Sequence, residues 1–227
     1  MNITPILGGV LSLVMLAPTA VPAPQKDHVR RNPLDIRLKH FDVTGAVLRD
    51  ALSELSLKSV NELHLGFEEI IRDKIQDDPR AQSPHFSLQL ADKSVREILD
   101  EICRSDIRYT WSQDGATINV FPRATAGDSS YLLNLPIKKI VISDIPNPDQ
   151  ALTPLSKLFP GEQIGYFGPG LGDNDYEKPW TASFEHVTVR QFINRAAENM
   201  GPQTSWVWEG GKGERMFTFL KGGFHTR

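Results

Sequence analysis

The spacing of apolar and polar residues repeats once along the chain. Residues 86–99 read FSLQLADKSVREIL and residues 180–193 read WTASFEHVTVRQFI, and they align without a gap. Ser94 falls on Thr188, Val95 on Val189, Arg96 on Arg190, Ile98 on Phe192 and Leu99 on Ile193. In each copy an alternating run predicts a half-buried strand, and a stripe at helical spacing follows it. The first stripe is Val95, Ile98, Leu99, Ile102 and Cys103; the second is Val189, Phe192, Ile193, Ala196 and Ala197. Ser94 with Glu97, and Thr188 with Gln191, have the spacing of capping boxes, in which each side chain satisfies a backbone donor left over by the first helical turn.

The flanking segments extend the repeat. Ile36 to Val43 alternates as a strand, and Thr44 is placed to cap a helix with the buried stripe Val47, Leu48, Ala51, Leu52 and Leu55. Leu63 to Phe67 predicts a short strand, and Glu68 to Ser83 a charged loop. Ile107 to Trp111 and Ala116 to Phe121 predict a hairpin turning at Asp114-Gly115. In the second half Leu133 to Ile145 is strand-like, with Asp144-Ile145 answering Asp42-Val43. Asn147-Pro148 opens a helix bearing Ala151, Leu152 and Leu155, which Pro154 should kink or shorten. Ile164-Gly165-Tyr166 answers Leu65-Gly66-Phe67. Trp206 and Trp208 alternate before Gly210-Gly211, and Met216 to Leu220 closes the unit.

The expected fold class is therefore α+β: two tandem modules of β-α-β-β-α-β-β type, each a small sheet covered by two helices. The boundaries read as 34–122 for the first module, 123–130 for a small polar linker, 131–221 for the second module and 222–227 for a tail. Ahead of them, Ile6 to Ala17 is an uncharged apolar run, too short for a span of roughly 20 residues. It fits a secretory signal over residues 1–23, cut near Ala20 or Ala23, with a polar tether at 24–33. A retained N-terminal anchor is the alternative. No Cys follows the run, so a lipid anchor is not supported.

Composition narrows the classes of function. Apolar residues make up 40% of the 227, enough for a packed core. Lysine and arginine total 25 against 28 acidic residues, with no basic stripe, so nucleic acid is not an expected partner. The one cysteine, Cys103, rules out an internal disulfide and multi-thiolate metal sites. Its counterpart is Ala197, so it reads as a small buried group.

Candidate chemistry is sparse. Gly165, Gly168, Gly170 and Gly172 lead into Asp173, Asp175 and Glu177, which would repel a phosphate, and no amphipathic helix follows directly. Asp173, Asn174, Asp175 and Glu177 lack the remainder of a calcium-loop pattern. The six histidines are scattered, with no pair at helical metal spacing, and no nucleophile elbow occurs. No catalytic residue, cofactor or metal is therefore assigned, and an enzyme is not expected. The aromatics Tyr166, Phe167, Trp180, Trp206 and Trp208 either pack beneath the helices or form a partly exposed ledge, the kind of anchor that dominates interfaces.

Residues 44–122 resemble the short N-terminal domain shared by secretins and TonB-dependent transducer receptors. The likeness is carried by Ala51-Leu52, by Leu65-Gly66-Phe67, by the helix opening Ser94 to Leu99, and by the hairpin with Tyr109, Trp111 and Gly115. Residues 131–221 keep the second half of that pattern better than the first. The resemblance implies an envelope-exposed module that docks other proteins. The expected function is non-catalytic docking in the cell envelope, in the periplasm, to a protein partner. Binding of a small ligand or envelope polymer by exposed aromatics is the alternative. No channel or receptor function is carried over, because neither pore nor barrel sequence follows the second module.

Overall fold

Both capping boxes form as the sequence requires. Ser94 Oγ accepts from Glu97 N at 3.2 Å and Glu97 Oε2 accepts from Ser94 N at 2.8 Å. Thr188 and Gln191 exchange the equivalent pair at 3.2 and 2.8 Å. The Ser94 backbone N–H, then Lys93 and the Ser94 hydroxyl, hold the Glu97 carboxyl down at about 2.

The structure, a computed structural model, describes residues 32–59, 63–70, 83–145, 148–160, 164–166, 180–201, 204–211 and 214–220. The expected signal, most of the tether, the middle of the Glu68–Ser83 loop, Phe167 with the Gly-rich loop, and the tail lie outside the described residues.

The first half contains β1 (Arg37–Ala46), α1 (Leu48–Lys58), β2 (His64–Glu68), β3 (Phe86–Ser94), α2 (Val95–Ser105), β4 (Tyr109–Asp114) and β5 (Thr117–Pro122). The second contains β6 (Pro136–Ile145), α3 (Pro148–Leu158), β7 (Ile164–Tyr166), β8 (Trp180–Thr188), α4 (Val189–Asn199), β9 (Ser205–Gly211) and β10 (Glu214–Leu220). The fold is mixed α+β.

Several boundaries differ from the sequence reading, each for a local reason. Thr44 does not cap α1, because the strand continues past it. Gly45 adopts φ +57°, the register of β1 against β3 shifts between Val43 and Ala46, and Val47 becomes the N-cap without a side-chain bond. The same bulge recurs in β6, where Asp144 adopts φ +54° and the shift falls between Ile142 and Ile145. Gly45 N donates to Ser87 Oγ at 3.0 Å and Asp144 N to Thr181 Oγ1 at 3.1 Å. Asp144 therefore answers Gly45, not Asp42. Residues Leu132–Asn134 form a 3-10 turn ahead of β6, matching Pro33–Asp35 ahead of β1, and Leu34 and Leu133 are both buried. Ile107 and Ala116 lie in turns outside β4 and β5. α3 runs through Pro154 and keeps eleven residues, the length of α1.

The larger difference lies in the sheets. β1 pairs with β3, and β6 with β8, as two-stranded antiparallel ribbons. The remaining strands form one six-stranded sheet in the order β4-β5-β2-β9-β10-β7. The halves do not each keep a sheet of their own, because β2 pairs in parallel with β9: Gly66 faces Trp206, Phe67 faces Val207 and Glu68 faces Trp208. Pairing removes two buried rows of backbone donors and acceptors that would otherwise lack partners. Alternation along the shared sheet then sorts the core. Leu65, Phe67, Ile118, Val120 and Val207 join α1 and α2 on one face. Trp206, Trp208, Phe217 and Phe219 join α4 and Leu152 and Leu155 of α3 on the other. Arg31–Arg227 is one compact unit. The segment read as a linker is tied in: Arg123–Thr125 forms a 3-10 turn, and Asn134 Nδ2 donates to the carbonyls of Thr125 and Asp128.

Gly66 is a point of close approach between the halves. A Cβ there would collide with the Trp206 ring and with Asn119 Oδ1. Gly66→Ala is expected to cost about 1–3 kcal/mol through overpacking. In urea denaturation followed by tryptophan fluorescence, the transition should shift to lower urea and remain single; an unshifted midpoint would contradict this packing.

Candidate docking surface

Three of the five aromatics pack in the core and add nothing to an exposed ledge. Trp206 and Trp208 are both 0% exposed, and Trp180 is buried as well. Trp206 Nε1 donates to Asn194 Oδ1 at 2.9 Å, Trp208 lies 4.2 Å from Phe217, and Trp180 stacks on Phe192 at 6.1 Å. The backbone of Tyr166 belongs to β7; its side chain and Phe167 lie outside the described residues. The shared parity of Trp206 and Trp208 shows one strand face, but not that helices cover both faces of this sheet.

The polar groups that sequence reasoning missed lie along the β2–β9 seam. Glu68 is 0% exposed and meets Arg190 of α4, whose Nε and Nη2 donate to its carboxylate at 2.5 and 3.2 Å. Arg190 also donates to Asn134 Oδ1 and lies 4.7 Å over the Phe121 ring. Arg49 of α1 bridges Glu69 and Glu209 at 2.8 and 3.1 Å. At the far end, α4 holds the β4–β5 turn. Asn194 and Arg195 donate to Asp114, and Glu198 Oε1 accepts from Ala116 N and Thr117 Oγ1 at 3.1 Å each. One signal was available in the sequence: Arg190 aligns with Arg96, so the charge is kept at one place on both helices. Its partner Glu68 sits in a loop-like charged stretch and gave no such sign.

What remains open is the rim of the sheet. Among the described residues, no strand pairs with the outer side of β4. The turn with Gly115 at φ +61° makes Asp114 and Thr117 a bonded pair, so Thr110 and Ser112 turn their backbone groups toward β5. Tyr109, Trp111 and Gln113 turn theirs outward. The start of this edge is guarded: Tyr109 N donates to Asp106 O at 3.1 Å, and the Arg123 guanidinium donates to the carbonyls of Ile107 and Tyr109 at 3.2 and 3.1 Å. Trp111 is half-buried beside it, with Nε1 donating to Asp100 and Arg96 lying 5.6 Å over its ring. A groove of about 630 Å³ opens at the base of the hairpin, lined by Ile70, Ile107, Pro122 and Tyr131 with Arg108 and Arg123. Ile107 is 76% exposed.

Cys103 is buried in the first core, and burial pushes its thiol up to about 12, so the reactive thiolate is scarce at neutral pH. Among the described residues no group of His, Cys, Asp and Glu is placed to hold a metal ion, and no helix is long and apolar enough to cross a membrane. Comparison of the chain with protein-family models, curated proteins and solved structures finds no match.

Burial raises the Glu68 carboxyl above its ordinary range, against the opposing pull of Arg190. A raised carboxyl means the folded state holds its proton more tightly, so this contribution to stability falls as pH rises through the raised value. Removing Arg190 enlarges that fall, because the buried carboxylate then loses its cationic partner and keeps the weaker hydrogen bond from Tyr131. Arg190→Ala is expected to cost about 3–5 kcal/mol at neutral pH and clearly less near pH 5. Urea midpoints at the two pH values check it; an equal loss at both would contradict the role assigned to the pair.

Proposed function

We propose that the chain is a non-catalytic docking protein of the cell envelope. It is exported to the periplasm, and its two halves act as tandem modules of the secretin and transducer short-domain type. The carrying observation is the outer side of β4, where among the described residues no strand pairs and Trp111 and Gln113 direct backbone groups outward; an apolar groove opens at the base of the same hairpin. An exposed edge of this kind accepts an added strand: main-chain bonds supply affinity and neighbouring pockets select side chains. The groove with Ile107 supplies such a pocket. The resemblance of residues 44–122 to that family and the apolar run at Ile6 to Ala17 support the envelope assignment. The ligand-binding alternative cannot draw on Trp180, Trp206 and Trp208, which are buried.

A photo-reactive phenylalanine analogue at Gln113, expressed in Gram-negative cells, tests the reading. Protein from the periplasmic fraction is expected to begin near residue 21 or 24 by mass, and illumination is expected to give a discrete protein adduct. Gln113→Pro, which removes an outward N–H without touching the ladder to β5, should abolish strand addition at this edge, assayed with the analogue moved to Ser112. A full-length cytosolic protein, or adducts indifferent to the proline, would overturn it.

A further inference from the structure

The seam inside the chain contains the plan of a second seam between chains. The sheet order β4-β5-β2-β9-β10-β7 is one three-strand set followed by its equivalent: β9 answers β4, β10 answers β5 and β7 answers β2. The lateral order is kept, while strand direction and helix-bearing face are both reversed. β2 runs parallel to β9 but opposite to β4, and the cores of the two halves lie on opposite faces. The operation relating the halves is therefore a half-turn about an axis across the strands, combined with a shift along it. Such an operation does not close on itself. It joins the last strand of the first half to the first strand of the second, and leaves the same two kinds of edge, β7 and β4, at the ends of the molecule.

We propose that a second copy of this chain occupies these edges, with β7 of one molecule pairing in parallel with β4 of the next. This inference rests on the edge-docking reading above and names the partner. The internal pairs fix the register. Tyr109 and Trp111 stand opposite Pro122 and Val120, as Trp206 and Trp208 stand opposite Phe219 and Phe217. Gly66 faces Trp206 and Phe67 faces Val207, so Gly165 of one copy faces Tyr109 of the next and Tyr166 faces Thr110. The outward amide of Trp111 then donates to the Tyr166 carbonyl, and the Tyr166 amide meets the Tyr109 carbonyl that Arg123 holds in the single molecule.

A second observation supports the same occupant. In the first half, the sheet face turned away from α1 and α2 is covered by α4, and Thr117 and Asn119 on it are 0% exposed. The residue answering Asn119 is Met216, which is 36% exposed, one of the large apolar side chains at the surface among the described residues. The helix equivalent to α4 is α2, and repetition of the seam lays α2 of the next copy over Met216. Because the contact is head-to-tail and does not close, it builds open filaments rather than a fixed dimer.

The test uses the full chain with Cys103→Ala, the residue the second half already carries. Thr110→Cys and Tyr166→Cys are made separately and mixed under mild oxidation. Facing residues on paired strands lie about 5 Å apart, within disulfide reach. A mixed disulfide formed by the pair, and by neither variant alone, is expected. Without cysteines, the mass by light scattering should rise with concentration, and Met216→Lys should remove most of that rise while leaving the thermal transition unchanged. A disulfide formed equally by Thr110→Cys with itself would show a symmetric contact and overturn the proposal. So would a chain that stays monomeric and gives no mixed disulfide. In that case, a foreign envelope protein captured at Gln113 leaves edge docking standing without self-assembly, whereas no adduct at all removes both.

Discussion

The parallel pairing of β2 with β9 is the contact on which the rest of the structure depends. It turns two sets of three strands into one sheet, and so decides which residues are core. Val207 of the second half packs with Leu65, Phe67 and Val120 of the first, because the shared sheet places them on one face. The pairing also fixes where charge must be neutralised. Glu68 ends β2 inside the seam, fully buried, and Arg190 reaches over from α4 to meet it. A buried pair of this kind adds little net stability over apolar packing, but it penalises every arrangement that leaves one partner alone. It therefore favours one register of the two halves.

The seam also explains how two halves of similar pattern acquired different surfaces. Residues at equivalent places have unlike fates because one half uses its β2 edge internally and the other presents the matching β7 edge at the rim. Asn119 is enclosed and Met216 is exposed; Trp206 and Trp208 are enclosed, while Trp111 is half open and gives its indole N–H to Asp100. Edges left in this state are usually blunted. Here the blunting is partial, through Arg123 and Asp106 at the start of β4.

Much of the local structure was legible in the sequence. The capping boxes at Ser94 and Thr188, the buried stripes behind them and the Gly115 turn depend on neighbours within a few residues, and all were found. The bulges were missed because Gly45 and Asp144 share no residue type; what they share is a left-handed backbone and a hydroxyl partner across the ribbon, Ser87 or Thr181. Thr44 had the chemistry of a cap, and only the continuing strand removed it. The shared sheet was not legible, because period-two alternation reports a strand's face and never which strand lies beside it. The burial of Trp180, Trp206 and Trp208 stayed open in the sequence for the same reason. The edge at β4 is a property of backbone groups, which every residue carries, so side-chain patterns could not reveal it.

Native-state hydrogen exchange at the seam tests this account most directly. The Glu69 amide donates to the Trp208 carbonyl at 2.9 Å, across the two halves. If one sheet unites them, this amide should exchange only through global unfolding, with the same free energy as the central amides of α2 and α4. A Glu69 amide that exchanges freely while both helices stay protected, or helices that open at two separate free energies, would contradict the single shared sheet.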